Sequence, residues 1–518
     1  MDPKNKIPIR TRFAPSPTGH VHIGSLRTAL FNYLFAKQNN GQFILRIEDT
    51  DTERSRVEWE YELIKVFEWL NIDWDEGPVL PAQIQQFDDN YKIDYVGPFA
   101  PYRQSERKEI YKKYLQKMIA DGSAYYCFCN KDDIEAEKQY LMSIGESPVY
   151  QGKCRDLKPE ETEQLLAQKK QSVIRLKCPK NQKIVFNDLI KGEVEFNSDT
   201  IGDIIIAKDL ENPLYNFTVV VDDKEMEISH IIRGDEHLSN TPKQILIIEA
   251  LGFSKPQYAH IPLILGADKK KLSKRDGKTS VIDYKEDGYL PDALINFISF
   301  LGWNPGTEKE IYSLNDLIKD FSLAKIQKAG AIFNPEKLDW INGFYIRKKS
   351  LADLTEILVP YLEKAGLIEE KAPELYFVKS SEETINFNYL ENIIALYNER
   401  LKKLSEIVEL VDFFFLKELT YDKDLLRWKQ MTDNELIDSL NASYKILENI
   451  EEKYFKKENL EKTLLTEAEK LPNRGNLLWP LRVALTGKKN SAGPMEILEV
   501  LGKQKALLRI SQALKIIF

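Results

Sequence analysis

The sequence predicts an α/β protein: a doubly wound parallel sheet, an α+β segment inserted into it, and an all-helical region after it. Three observations predict this. Short continuous apolar runs recur through the first two thirds: QFILRIEDTD (Gln42–Asp51), LYNFTVVVDD (Leu214–Asp223), ISHIIRG (Ile228–Gly234) and YAHIPLILG (Tyr258–Gly266). Buried parallel strands read this way. Helical patterns alternate with them, as at Leu26–Lys37 and Thr241–Leu251, and strand–helix alternation is what packs helices on both faces of one sheet. Lastly, Leu367–Arg474 contains no glycine, and its prolines, Pro373 and Pro472, lie near its ends. Long helices with short connections follow.

The first strand is expected in the run TRFAPS, stopped by proline. Pro15 and Pro17 stiffen the turn after it, and Gly19 and Gly24 let backbone approach a ligand closely. Ser25 is placed to cap the helix that follows. A helix N-terminus offers unpaired N–H groups and partial positive charge, and His22 just before it can donate to a phosphate oxygen. The loop therefore suits a nucleotide triphosphate, although such a turn standing alone is usually only a turn. His20 and His22 have a metal-like spacing, but no third partner lies nearby in the chain.

The stretch between the first strands and Leu214 is too long for a βα connection and reads as an inserted domain. Further on, ILGADKKKLSKRDGKTS (Ile264–Ser280) carries six basic residues and one acid between Lys269 and Lys278. Alone it is a solvated basic loop or an RNA contact. A lysine-rich loop is also what stabilises charge developing on transferring phosphates. In the last third, Leu401, Leu404, Ile407, Val408 and Val411 recur with the period of an amphipathic helix.

The totals bound the reading. The 518 residues imply several domains, at roughly 150 residues each. A net charge of −8 argues against nonspecific coating of nucleic acid, while local basic patches can still bind RNA. Leu481–Phe518 is such a patch, with seven Lys or Arg and two Glu. Four cysteines without a disulfide framework fit a reducing compartment. With no apolar signal core and no membrane-length apolar run, a soluble cytoplasmic protein is expected.

HIGS at His22–Ser25 and KLSKR at Lys271–Arg275 resemble the two signature motifs of class I aminoacyl-tRNA synthetases. With RFAPSPTG, LRIEDTD, YRQSER (Tyr102–Arg107), VVVDD, HIIRGDEH (His230–His237) and PLRVALTG (Pro480–Gly487), they resemble a bacterial-type glutamyl-tRNA synthetase from Arg12 to the end of the chain. One departure stands out: the second histidine of the general motif is Ser25.

The resemblance implies a glutamate–tRNA ligase that forms glutamyl-adenylate from L-glutamate and ATP with Mg2+. It then transfers the glutamyl group to the terminal adenosine of tRNA(Glu), with tRNA(Gln) as an alternative second acceptor. It implies a Rossmann-like catalytic domain in two halves, 1–105 and 214–266, around an acceptor-stem-binding insertion, 106–213. A stem-contact region with the KLSKR loop, 267–345, and a helical anticodon-binding region, 346–518, would follow. His22, Lys271 and Lys274 would be catalytic. Thr18, Gly19, His22, Gly24, Ser25, Lys274 and Arg275 would hold ATP. Arg12, Ala14, Ser16, Glu48, Tyr215 and Arg233 would hold glutamate, with Arg12 expected on the side-chain carboxylate and Glu48 on the ammonium. Some relatives carry zinc in the insertion. Here Cys127, Cys129 and Cys154, with Tyr150 or Asp156 as fourth ligand, compete with a reading of three ordinary thiols.

A monomer is expected. Rival readings are a glutaminyl enzyme, a relative that loads glutamate onto a tRNA base, and a catalytically silent RNA-binding protein. The helical C-terminal region weighs against the first two. The joint presence of His22, Lys274 and both arginines weighs against the third.

Overall fold

A computed structural model describes residues 8–51, 53–80, 93–273 and 278–517. The chain forms two compact units. One holds the chain as far as Lys285 together with Pro291–Pro335, and the other holds Glu286–Leu290 and the chain from Glu336 onward. Among the described residues no helix is long and apolar enough to cross a membrane.

In the first unit β1 (Arg10–Phe13) runs into α1 (Ile23–Gln38) and returns as β2 (Gln42–Leu45), parallel to β1. α2 (Val57–Trp69) and the antiparallel pair β3 (Gly77–Val79) and β4 (Asp94–Val96) follow. The chain then forms α3 (Lys108–Ala120), β5 (Ala124–Cys127), α4 (Lys131–Ser143), α5 (Pro159–Ala167), β6 (Val173–Leu176), the hairpin β7 (Lys183–Asp188) and β8 (Gly192–Asn197), which joins the sheet beside β11, and β9 (Ile205–Ala207). Strands β5, β6 and β9 make an antiparallel sheet. α6 (Tyr215–Glu225) leads to β10 (His230–Gly234), α7 (Thr241–Leu251) and β11 (Gln257–Ile261), with β10 and β11 parallel. Strands β12 (Ile264–Leu265) and β13 (Ala331–Ile332) pair beyond them.

β10 comes beside β1, where Ser229 N–H donates to Arg10 O at 3.0 Å. The order is therefore β2-β1-β10-β11, and the direction of winding reverses between β1 and β10. In a doubly wound sheet that reversal opens a crevice at the carboxyl ends of the strands, where ligands bind. Alternation along β1 sends Thr11 toward α1, where it donates to Asn32 O, and Arg10 and Arg12 toward α6.

Three expectations need correcting. LYNFTVVVDD is α6, not a strand. Phe217, Val219, Val220 and Val221 are all buried, and a helix buried on every side has the same continuous apolar run as a buried strand. Ser25 is not the helix cap: α1 starts at Ile23, and His22 is the cap residue, its side chain accepting from Gly24 N–H. The run containing Leu401–Val411 is not one amphipathic helix but short turns around Ile407–Val411. Four of its apolar residues are buried as expected and Val408 is half-buried.

The second unit is helical, with helices including Leu351–Lys364, Asp433–Asn449, Gly475–Thr486 and Lys503–Ile517. It is not all-helical, because it also carries an antiparallel sheet of β14 (Ile368–Ala372), β15 (Leu375–Val378) and β16 (Glu383–Asn386). The glycine-free stretch concealed this sheet because its turns use Glu374 and Glu382, at φ 63° and 59°, where glycine is the usual choice.

Candidate active site

The loop after β1 is clamped to the chain leaving β2: Arg46 N–H donates to Phe13 O at 3.0 Å and Glu48 N–H to Pro15 O at 2.9 Å. This places Ala14 and Ser16 at the crossover, opposite Arg233 and Gly234 at the end of β10. They enclose a cleft of about 250 Å³ lined by Arg12, Ala14, Ser16, Gly24, Ser25, Glu48, Tyr215, Arg233, Glu236 and His237. All six residues expected to hold glutamate thus line one cavity, joined by Gly24 and Ser25 from the first turn of α1.

Beneath it lies a buried charge network. Arg12 Nε is 3.1 Å from Asp223 Oδ1, and Arg46 reaches the same oxygen at 2.8 Å and Glu48 Oε1 at 3.0 Å. Arg107 pairs with Asp222 at 2.7 Å, where Gln104 and Tyr111 also donate. Burial works against the charge on Arg46, but Asp223, Glu48 and Asp222 outweigh it and hold the guanidinium protonated. Burial raises the pKa of Glu48, against the pull of Arg46 and Arg12. Burial, with the charge of Arg233, drives His237 down to about 4, so its ring is neutral. It meets the Tyr215 hydroxyl at 3.2 Å. Arg12, Arg46, Arg107 and Arg233 are accompanied by Glu48, Asp222 and Asp223, with Glu236 also lining the cleft and Asp188 buried behind His260, the partner of Arg233. Buried Nη1 of Arg233 has no partner among the described residues. A ligand carboxylate would give that nitrogen an acceptor.

Arg46, Asp223 and His237 escaped the sequence reading. Arg46 had a signal, since it stands two residues before Glu48 in FILRIE. Asp223 was hidden in a run taken for a strand.

Two motifs distant in sequence close together beside this cleft. Ile23 N–H donates to Thr279 O at 3.0 Å and Val281 N–H to Val21 O at 2.9 Å, so the HIGS turn is zipped to the chain just after the KLSKR loop. His22 Nδ1 accepts from Gly24 N–H at 3.1 Å. The ring proton is then on Nε2, the tautomer able to donate to an anion. Thr18 and Gly19 lie on the exposed loop before α1, and Lys271 is exposed beside β12. Lys274 and Arg275 lie outside the described residues.

At the end of β5 and in the chain after it, the sulfur atoms of Cys127, Cys129 and Cys154 lie within 4.8 Å of one another. The Tyr150 hydroxyl is 3.4 Å from Cys127 Sγ and 3.2 Å from Cys129 Sγ, and it accepts Cys154 N–H at 2.9 Å. The three sulfurs supply three of the four donors a structural zinc takes, and the fourth group at the cluster is a tyrosine oxygen in place of the usual Cys or His. The Asp156 side chain is 84% exposed and pairs with Lys177. Cys178 is buried, and it is not a member of the cysteine cluster.

Comparison with known proteins agrees with this geometry. Residues 8–340 match the model of the class I tRNA synthetase (E and Q) catalytic domain, and residues 353–514 that of an anticodon binding domain. The chain is 44% identical to the glutamate–tRNA ligase 1 of Caldicellulosiruptor saccharolyticus over 97% of its own length and 98% of that protein. It is 44% identical to the glutamate–tRNA ligase of Carboxydothermus hydrogenoformans over 97% and 99%. Among solved structures it resembles a glutamate tRNA ligase from Elizabethkingia meningosepticum in complex with its amino acid, with a TM-score of 0.82 and 32% identity over 98% of this chain and 99% of that one.

Proposed function

The chain belongs to the glutamate–tRNA ligases, within the class I tRNA synthetases of the glutamate and glutamine group, and on that premise we propose that the β1–β10 cleft is where it activates its amino acid. The enzyme joins glutamate to tRNA at the expense of ATP. The observation that carries the reading of the site is Arg233 Nη1, buried at the cleft with no partner among the described residues. Glutamate brings two carboxylates as acceptors for the two arginines and one ammonium for Glu48.

Arg12 and Arg233 would take the carboxylates, Arg12 that of the side chain, with the Tyr215 hydroxyl assisting. Glu48, Ser16 and the Ala14 backbone would take the ammonium. The freed α-carboxylate then attacks the α-phosphorus of ATP and pyrophosphate leaves, a step that depends on positioning and charge neutralisation. Thr18, Gly19, Gly24, Ser25 and the α1 N-terminus, with the Nε2 proton of His22, would hold the phosphates. Lys274, supported by Lys271 and Arg275, would meet the charge on the leaving pyrophosphate, and Mg2+ would arrive with ATP. A ribose hydroxyl of the terminal adenosine of tRNA next attacks the adenylate carbonyl and AMP leaves.

The insertion, 106–213, would receive the acceptor end, 267–345 the stem, and the region from 346 the anticodon. Cys127, Cys129, Cys154 and Tyr150 would hold zinc, which would cross-link the end of β5 to the Tyr150–Cys154 loop. We take tRNA(Glu) as the substrate and the enzyme as a cytoplasmic monomer.

Charging tests the reading: purified tRNA(Glu) and tRNA(Gln), each incubated with labelled glutamate and ATP. Glutamylation of the first is expected. Glutamylation of both would identify a relaxed enzyme whose second product needs a later amidation. Failure with both, from folded protein and native tRNA, would refute the reading in favour of a silent RNA-binding protein.

A further inference from the structure

The partner that fixes Arg233 is a histidine which the proposed reaction does not use. His260 is fully buried on β11, directly opposite Arg233 of β10 in the register of the two strands. Arg233 Nε donates to His260 Nε2 at 3.2 Å, and Arg233 Nη2 donates to Thr241 Oγ1 at 2.8 Å. The Thr241 hydroxyl itself sits 3.0 Å from His260 Nε2. The other ring nitrogen, Nδ1, lies 2.6 Å from Asp188 Oδ2. Asp188 is buried and held in place, its Oδ1 accepting N–H from Ile190 at 2.9 Å and Lys191 at 2.8 Å, and its Oδ2 from His260 at 3.1 Å.

These contacts determine the tautomer. A guanidinium has donors and no acceptor, so Nε2 must present its lone pair to Arg233. The single ring proton is then on Nδ1 and is donated to Asp188. Burial holds the imidazole below its ordinary pKa against the opposing pull of Asp188, and the charge of Arg233 adds to the depression. We infer that His260 is a positioning residue for Arg233, and that Asp188 of the inserted segment sets the imidazole tautomer that makes this possible. The inference rests on the reading of Arg233 as a carboxylate ligand.

The choice of histidine has a physical reason. A carboxylate at this position would orient Arg233 but also neutralise it, weakening its attraction for substrate. A neutral acceptor orients the fork and leaves its charge to the ligand. With Nε and Nη2 engaged, Nη1 is the nitrogen left without a partner among the described residues. Asp188 ends β7 and pairs with Tyr258 of β11, so the arginine of the amino-acid cleft is set by a carboxylate from the insertion.

The test compares Michaelis constants for glutamate and ATP in aminoacylation by the full chain. His260→Asn keeps an amide donor for Asp188 but offers Arg233 no acceptor. His260→Gln carries a carbonyl far enough to replace Nε2. The asparagine variant is expected to raise the glutamate KM about tenfold or more, the loss of one hydrogen bond to a charged group, with the ATP KM within about twofold. The glutamine variant is expected to recover most of that loss. Asp188→Asn is expected to act like His260→Asn, because its amide can donate to Nδ1 and drive the proton to Nε2, the wrong tautomer. It carries the test if His260→Asn fails to fold.

Arg233→Gln is measured alongside. A raised glutamate KM there with an unchanged one in His260→Asn overturns this inference and leaves the Arg233 assignment standing. Unchanged values in both overturn both. Equal rises for glutamate and ATP without recovery in His260→Gln also overturn it, since a general loss of structure would give that pattern.

Discussion

Arg46 Nη1 and Asp223 Oδ1 lie 2.8 Å apart, with 0% and 7% of the two side chains exposed, and the same oxygen also receives Arg12 Nε at 3.1 Å. One carboxylate thus holds two guanidiniums below the cleft. Removing one member of a buried pair leaves an uncompensated charge, at a cost of about 3–5 kcal/mol. Asp223→Asn is expected to lose stability on that scale in urea unfolding. A loss below about 1 kcal/mol would show that water already reaches the network.

Arg12→Leu separates amino-acid binding from nucleotide binding. Asp223 keeps Arg46 as a partner in this variant, so the fold should survive. The glutamate KM should rise more than about tenfold, with the ATP KM nearly unchanged. An unchanged glutamate KM would remove Arg12 from the carboxylate site.

Lys274 is assigned from the KLSKR motif alone. Lys274→Ala is expected to slow adenylate formation about 10²-fold, as the loss of one charge-stabilising donor does elsewhere. Pyrophosphate exchange in the presence of tRNA measures it, and full activity would end the assignment.

The cysteine cluster predicts metal. Purified protein should contain about one zinc per chain, held by three thiolates and the Tyr150 oxygen. Less than about a tenth of an equivalent, with the fold intact, would mean ordinary thiols. Tyr150→Phe should weaken zinc retention against a chelator.

Glu60 gives the protein a pH-dependent stability. Its side chain is 2% exposed and Oε1 has no partner among the described residues. Burial raises its pKa to about 7, against the opposing effect of Arg103. An acid whose folded pKa lies above its unfolded value binds its proton more tightly when folded. Between about pH 4.5 and 7 the native state therefore holds more protons, and stability falls as pH rises through that window. Glu60→Gln should flatten the decline of Tm from pH 5 to 8. An equal slope in both proteins would assign it to other groups.

Much of this was legible in the chain. The strands at Gln42–Leu45, His230–Gly234 and Gln257–Ile261, and the helices on either side, announced themselves through continuous apolar runs and 3.6-residue periods, and the strand at Arg10–Phe13 through the prolines that stop it. HIGS and KLSKRDG pointed to the chemistry through the resemblance they carry together with the other motifs, since each loop alone also fits a plain turn or a solvated basic loop. Local propensity and composition are properties of neighbouring residues, and a sequence displays them directly.

Tertiary structure decided the rest. Whether Leu214–Asp223 became strand or helix depended on what would bury it, since an apolar run fits either. Whether Arg12 met Asp223, or His260 met both Asp188 and Arg233, depended on strands and a helix brought together from as far as 211 residues apart. Tyr150 rather than Asp156 joined the cysteines because of how one loop closed. A buried charge must find its counter-charge wherever the fold delivers it. Pairings across long separations carry no local period, so the electrostatics of the cleft became readable only once the sheet had placed its strands side by side.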